Sequence, residues 1–238
     1  MSKLVNKDFV AIIPARQGSK GLKNKNIKKV LGHPLIAYSI KAAKKSNLIK
    51  DVYVTTDGEN IAKISKKYGA KIIHRPSNLA NSFVISDKAI LHAIKIIEKK
   101  INFRYVVFLQ PTSPLRSKND IDDAIKLFLK KKADSLFTSV ELHSTMWRSI
   151  NSSVKPYHKS FRIIKSRQNS VKSVIDNGSF FITNKDLFKK FKHRLAGTKI
   201  ISYEMEKWTM FEIDNKDDFD LVNYLFKFSK VSKKMVLI

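Results

Sequence analysis

Residues Ala11 to Asn26 read AIIPARQGSKGLKNKN and bring fixed cations and glycines into one short loop. Arg16, Lys20, Lys23 and Lys25 supply positive charge. Gly18 and Gly21 let the backbone come close to a ligand and present its N–H groups to an anion. Ser19 and Asn26 add hydrogen-bonding side chains. A triphosphate is a ligand that needs fixed charge and exposed N–H groups together. The loop follows the apolar run Phe9 to Ile13, and Pro14 keeps Ala15 out of a helix. Anion sites in open α/β sheets lie there, beyond the end of a buried strand. Neither G-x-x-x-x-G-K-[ST] nor G-x-G-x-x-G is present, which argues against a P-loop NTPase and a typical dinucleotide dehydrogenase.

Glu212-Ile213-Asp214 sets two carboxylates two residues apart. In a strand both face one side and can reach one ion. Oxygen ligands suit Mg2+, which keeps several waters and bridges to substrate phosphates. The other reading makes Asp214 a cap for the final helix. Asp217, Asp218 and Asp220 read as solvated helix positions. The octet Leu109 to Arg116, LQPTSPLR, follows the most apolar strand, and its two prolines hold an extended path. Ser113 or Ser117 could equally serve as a turn cap there. His143 and Arg148 flank Trp147; either could face a carboxylate, with the arginine better shaped for it.

The elements that position these residues alternate. Pro34 opens a helix running past Ala43. Val52 to Val54 form a strand ending at Asp57, which is placed to cap a helix over Glu59 to Tyr68. A strand at Lys71 to Ile73, a helix within Phe83 to Lys99, a strand at Tyr105 to Leu109, a helix at Asn119 to Lys131 and a strand at Ser135 to Val140 follow. This rhythm predicts βαβ crossovers and a mostly parallel α/β sheet with ligands at the C-terminal strand ends. It breaks after Glu141. His143 to Ser173 read as loop and irregular strand, Gly178 to Thr183 and Ile200 to Tyr203 as strands, and Asp214 onward as a closing helix. Residues 142–178 are expected to leave a single domain, 1–238, as a flap or dimerisation arm.

The chain has 238 residues, 43% of them hydrophobic, which excludes wholesale disorder. It has no cysteine, so disulfides and thiolate metal sites are excluded. No apolar run is long enough to span a bilayer and no signal-peptide region is visible, so no membrane role and a cytoplasmic location are expected. The net charge is +27, yet only eight of the 47 basic residues are arginine, and the 39 lysines are spread along the chain. Base readout and bidentate phosphate recognition favour arginine. A general lysine bias explains the charge better than specific nucleic-acid binding.

Ile13, Pro14, Ala15, Arg16, Gly18, Ser19, Lys20, Gly21, Leu22, Lys25 and Asn26 match the N-terminal signature of the CMP-sugar synthetases. LQPTSPLR, Arg75-Pro76-Ser77-Asn78-Leu79-Ala80, and Arg167-Gln168 ten positions before Asn177-Gly178 match further motifs. The chain resembles the acylneuraminate cytidylyltransferases and their relatives for other nonulosonic acids and KDO. It departs from them at Lys23 for a proline, Glu212 for an aspartate, Phe181 for a tyrosine, and Asn81 and Ser82 where a carboxylate is common.

The resemblance implies a Rossmann-like sheet of the nucleotide-diphospho-sugar transferase type, with helices on both faces and a small dimerisation arm. It implies transfer of CMP from CTP to the 2-hydroxyl of a nine-carbon keto sugar acid (N-acylneuraminate, legionaminate or pseudaminate), with Mg2+ and release of pyrophosphate. By it, Ala15, Arg16, Gly18, Ser19, Lys20, Lys25, Asn26, Arg75 and Ser86 bind CTP, although Ser86 reads equally as a helix-surface serine. Arg16, Lys20 and Asp214 are the implied catalytic residues, and Glu212 and Asp214 the metal ligands. Gln110, Arg148, Arg167, Asn177 and Phe181 are the implied sugar-acid residues. The implied assembly is a homodimer whose arm completes the neighbouring site. KDO or another sugar is the alternative acceptor, and a non-catalytic nucleic-acid-binding relative the third reading.

Overall fold

Every residue from Phe9 to Ile13 is apolar because both faces of strand β1 (Phe9–Pro14) are covered. Phe9, Ala11 and Ile13 point to one side, with α1 (Leu35–Lys45), α2 (Glu59–Lys67) and α4 (Asp120–Lys131) packed there. Val10 and Ile12 point to the other, where α3 (Ser86–Ile97) and α5 (Lys185–Phe191) pack. The computed structural model describes residues 8–19, 21–79, 86–142, 146–157, 173–228 and 234–235.

β1 pairs in parallel with β4 (Ile49–Thr56) on one side and β6 (Tyr105–Leu109) on the other. Among the described residues they belong to a seven-stranded sheet of order β11-β7-β10-β6-β1-β4-β5, with β5 spanning Lys71–His74, β7 Ser135–Leu142, β10 Ser173–Asn184 and β11 Ile200–Glu204. β10 is antiparallel to both its neighbours, and the other pairings are parallel. The chain leaves β1 toward β4 by α1 and enters β6 from α3, so the strand order reverses between β1 and β6. The crevice beyond their carboxyl ends is where an open α/β sheet binds ligands.

Two features outside this alternation frame the crevice. A hairpin of β2 (Lys29–Val30) and β3 (His33–Pro34) turns through Leu31 at φ 44° and Gly32 at φ 82°, the positive pair that a tight hairpin of right-handed twist requires. The closing helix α6 (Lys216–Lys227) buries Phe219, Val222 and Phe226 against Val30, Leu35, Tyr38 and Leu115. It is capped by Asn215 and not by Asp214: Asn215 Oδ1 accepts from Asp218 N at 3.0 Å and Asp218 Oδ2 from Asn215 N at 3.0 Å. Asp218 is therefore part of the cap and not simply solvated.

The arm expected over 142–178 is partly sheet. Ser173 to Asp176 pair with Leu142 to Ser139, so β10 begins well before Gly178. β8 (Trp147–Ile150) and β9 (Ser153–Pro156) form a separate two-stranded hairpin. Between Asp176 and Phe181 the register shifts, and β10 bulges. Such bulges re-aim side chains beside active sites. No described helix is long and apolar enough to cross a membrane.

Candidate active site

A cleft of about 580 Å³ opens at the reversal point, lined among others by Arg16, Ser19, Lys25, Asn26, Arg75 and Gln110. The loop after β1 is held by its backbone. Ala15 N donates to Thr55 O at 3.0 Å, and Gln17 N to Asp57 Oδ1 at 3.1 Å. Asp57 therefore ties the loop down and does not cap α2, whose N-cap is Gly58. Asn26, buried in a short helical turn, donates from Nδ2 to Arg16 O at 3.0 Å. That bond fixes where the Arg16 side chain starts. The two glycines differ. A Cβ on Gly18 would meet nothing within 4 Å, while one on Gly21 would lie 2.3 Å from Asp214 O. Gly21 is needed for close passage of residue 214, and Gly18 leaves open space.

Arg75, beyond β5, is 9% exposed and lines the cleft. Its Nη2 donates to Thr55 O at 2.7 Å. Burial, with the nearby Arg16 charge, depresses its pKa, against the pull of Asp57. Its Nε is buried without a partner among the described residues. An under-satisfied guanidinium beside a second cation is a site that favours an anion.

On the β6 side the LQPTSPLR turn is bolted to the β10 bulge. Arg116 is fully buried. Its Nη2 donates to Gln110 O at 2.8 Å and Ser179 O at 2.7 Å, and its Nη1 to Ser39 Oγ at 2.9 Å. Burial lowers its pKa to about 9 despite Asp120 and Glu212. Gln110 Nε2 donates to Gly178 O at 2.6 Å, and Ser113 Oγ to the same oxygen at 3.2 Å. Ser113 thus holds the bulge and caps nothing. Ser117 N donates to Asp120, so that serine is a backbone anchor. Gly178 has φ +63°, and a Cβ there would sit 1.4 Å from Glu212 Oε1. Only glycine meets both demands.

Glu212 and Asp214 flank buried Ile213, whose N donates to Thr112 O at 2.8 Å. The segment is not the strand its alternation suggested: residues 211–213 are irregular and the chain bends at Asp214. Asp214 is 74% exposed at its side chain, and its Oδ1 lies 2.9 Å from Lys25 Nζ. Burial, with the charges of Asp214 and Asp176, pushes the Glu212 carboxyl up to about 7, against a hydrogen bond from Ser113 and the Lys25 charge. Among the described residues no set of three or more His, Cys, Asp or Glu side chains closes into a metal shell. Two carboxylates whose mutual repulsion Lys25 relieves only in part nevertheless suit a Mg2+ ion that completes its shell with water and phosphate oxygens.

A family model described as cytidylyltransferase matches residues 10–236. The chain belongs to the cytidylyltransferase family. The N-acylneuraminate cytidylyltransferase of Escherichia coli is 36% identical over 216 residues, covering 90% of this chain and 51% of that protein. The chain therefore spans about half the length of that relative. The pseudaminic acid cytidylyltransferase of Campylobacter jejuni is 34% identical over 177 residues, 72% of this chain and 76% of that protein. A solved CMP:2-keto-3-deoxy-manno-octonic acid synthetase complexed with CTP superposes with a TM-score of 0.68 over 92% of this chain and 98% of that one, at 15% identity. That likeness is one of fold.

In this member of the family the cleft lining gathers Arg16, Ser19, Lys25, Asn26, Arg75, Ser86, Gln110 and Asp214 from the residues singled out in the sequence. Ala15 is buried at the loop's root. Asn177 and Phe181 lie beneath the cleft and not on its lining. Asn177 is 2% exposed and donates from Nδ2 to Thr209 Oγ1 at 2.9 Å. Phe181 is buried against Phe108. Arg148 is exposed on the β8–β9 hairpin, over the Tyr157 ring at 5.7 Å. Lys20, His143, Arg167 and Gln168 lie outside the described residues. Sequence reasoning missed Arg194, which lines the cleft, and the structural part played by Arg116 and Gly178. The available signal for Arg194 was its type: an arginine in a chain so rich in lysine marks a place where a planar fork is needed.

Proposed function

We propose that this cytidylyltransferase transfers CMP from CTP to the 2-hydroxyl of a nonulosonic acid and releases pyrophosphate. The observation that carries the reading is the convergence of Arg16, Ser19, Lys25 and Arg75 on one cleft beyond β1 and β5, facing Gln110 from β6. The triphosphate lies on the loop after β1. Arg16, Lys20 and Lys25 hold its charge, and Arg75 and Asn26 support the nucleoside end. One such ion contact near 4 Å is worth roughly 4 kcal/mol at an effective dielectric near 20, before desolvation. The acceptor lies on the β6–β10 side, where Gln110, fixed through Gly178, has its Oε1 free of donors among the described residues. The sugar oxygen attacks the α-phosphorus in line as the bond to the bridging oxygen breaks. Catalysis is positioning and charge neutralisation, so no protein nucleophile is required.

The reading includes Mg2+, held by Glu212 and Asp214. When bound it would neutralise phosphate charge and offset the repulsion that raises Glu212. It also includes a homodimer in which the β8–β9 hairpin, with Trp147, Val154 and Tyr157 exposed, lies against a second copy. The experiment is a pyrophosphate-release panel with CTP and N-acetylneuraminate, legionaminate, pseudaminate or KDO. Turnover with a nine-carbon acid supports the reading. Turnover with KDO alone favours the alternative acceptor, and no turnover with any of them contradicts it.

A further inference from the structure

Arg194 lines the cleft together with Gln110. It follows α5, and its backbone is anchored where Thr183 Oγ donates to its carbonyl. Its guanidinium lies over two rings on neighbouring strands, 4.5 Å from the Phe108 centroid on β6 and 4.9 Å from that of Phe181 on β10. A carboxylate holds it from the flank. Nε donates to Asp87 Oδ1 at 3.0 Å and Nη2 to Asp87 Oδ2 at 3.3 Å, and Asp87 is only 3% exposed. Nη1 has no acceptor among the described residues. The group is therefore rigid, already neutralised, and left with one donor edge beside the cleft.

Strand order divides the cleft. Arg16, Asp57 and Arg75 come from the ends of β1, β4 and β5, the half assigned to the nucleotide. Gln110 follows β6, and Arg194, in the loop after α5, lies over the rings of β6 and β10, the half assigned to the acceptor. In the cyclic form of a 2-keto sugar acid the carboxylate sits on the anomeric carbon that bears the attacking hydroxyl, so it stays close to the phosphates and their cations. A guanidinium over the β6 and β10 rings, its charge met by Asp87, suits an uncharged oxygen further along the sugar. Building on the function proposed above, we infer that Arg194 is a specificity-determining residue that donates to an acyl carbonyl or hydroxyl oxygen on the body of the acceptor. Asp87 is its positioning residue.

The test is steady-state kinetics of Arg194→Met combined with Asp87→Asn, which removes the ion pair together and leaves no buried carboxylate unpaired. The acceptor KM should rise about ten- to a hundredfold, the loss of one charge-assisted hydrogen bond, with the KM for CTP within about twofold. A second variant, Arg194→Lys, keeps the charge without the planar fork and should raise the acceptor KM in the same direction. It stands in if the double variant does not fold. Acceptors that carry or lack an acylamido group separate the two oxygen sources. Wild-type preference for the acylated acid that vanishes in the variant identifies the carbonyl, and a uniform loss across both identifies a hydroxyl. An unchanged acceptor KM, or a KM for CTP that rises in parallel, overturns the inference while wild-type turnover leaves the function standing. A wild type inactive with every acid overturns the function instead.

Discussion

The two halves of the cleft are built differently. On the β1 side a single contiguous loop carries the chemistry, held by one bond within itself, Asn26 to Arg16, and by two to the end of β4, Gln17 to Asp57 and Ala15 to Thr55. On the β6–β10 side the working groups come from distant positions, and one bulged glycine is their meeting point. Gly178 receives Gln110 and Ser113 on its carbonyl and Glu212 against its Cα. The first half should tolerate distant change and fail by local charge loss. The second should fail by loss of shape.

The largest expected effect tests the charge side. Lys20→Ala or Arg16→Ala should lower kcat by about 10²–10³, the usual cost of removing one electrostatic stabiliser. For Arg16→Ala thermal stability should change little, because the half-exposed Arg16 sits in the loop after β1 and not in the core. Turnover near wild type in both would break the contrast.

Gly178→Ala attacks the shape side. The new methyl must adopt positive φ and displace Glu212, so denaturant unfolding should show a loss of about 2–4 kcal/mol. An alanine variant as stable as wild type would mean that the bulge is not a fixed joint. Asp214→Asn probes the seam between the halves. It removes the partner of Lys25 and one carboxylate from the proposed Mg2+ pair, and the Mg2+ concentration for half-maximal rate should rise about tenfold. An identical metal titration would remove Asp214 from the ligand set.

The smallest effect is a matter of pH. The Glu212 carboxyl is raised from 4.5 to about 7 in the folded protein. A raised carboxyl adds stability that is full below its unfolded pKa and is lost as pH climbs through its folded one. Glu212→Gln should therefore match wild type near about pH 4 and exceed it by about 1–2 kcal/mol near about pH 8, measured without metal. Parallel pH curves would mean that Glu212 is not held against its neighbours' charge.

The same contrast explains what could be read from the amino acids. β1, its loop and the alternating elements through β7 are legible because their signals are local: apolar runs, Pro34 at a helix start, contiguous cations. Two kinds of feature are not. Short elements carry too few residues for a period, as with the two-residue strands β2 and β3 and the seven-residue α5. Long-range contacts leave no spacing to see. Asp57 looks like a cap in sequence, and only the fold shows Gln17 N beside it. Asn177 looks available, and only the bulge turns it inward to Thr209. Arg194 follows the unread α5 and meets Asp87 across 107 positions.

The most direct measurement is a crystal structure of the protein soaked with CTP and Mg2+. The three phosphoryl groups should lie against Arg16, Ser19 and Lys25 in the loop after β1, with the cation between them and Glu212 and Asp214. Phosphate density placed away from that loop would contradict it.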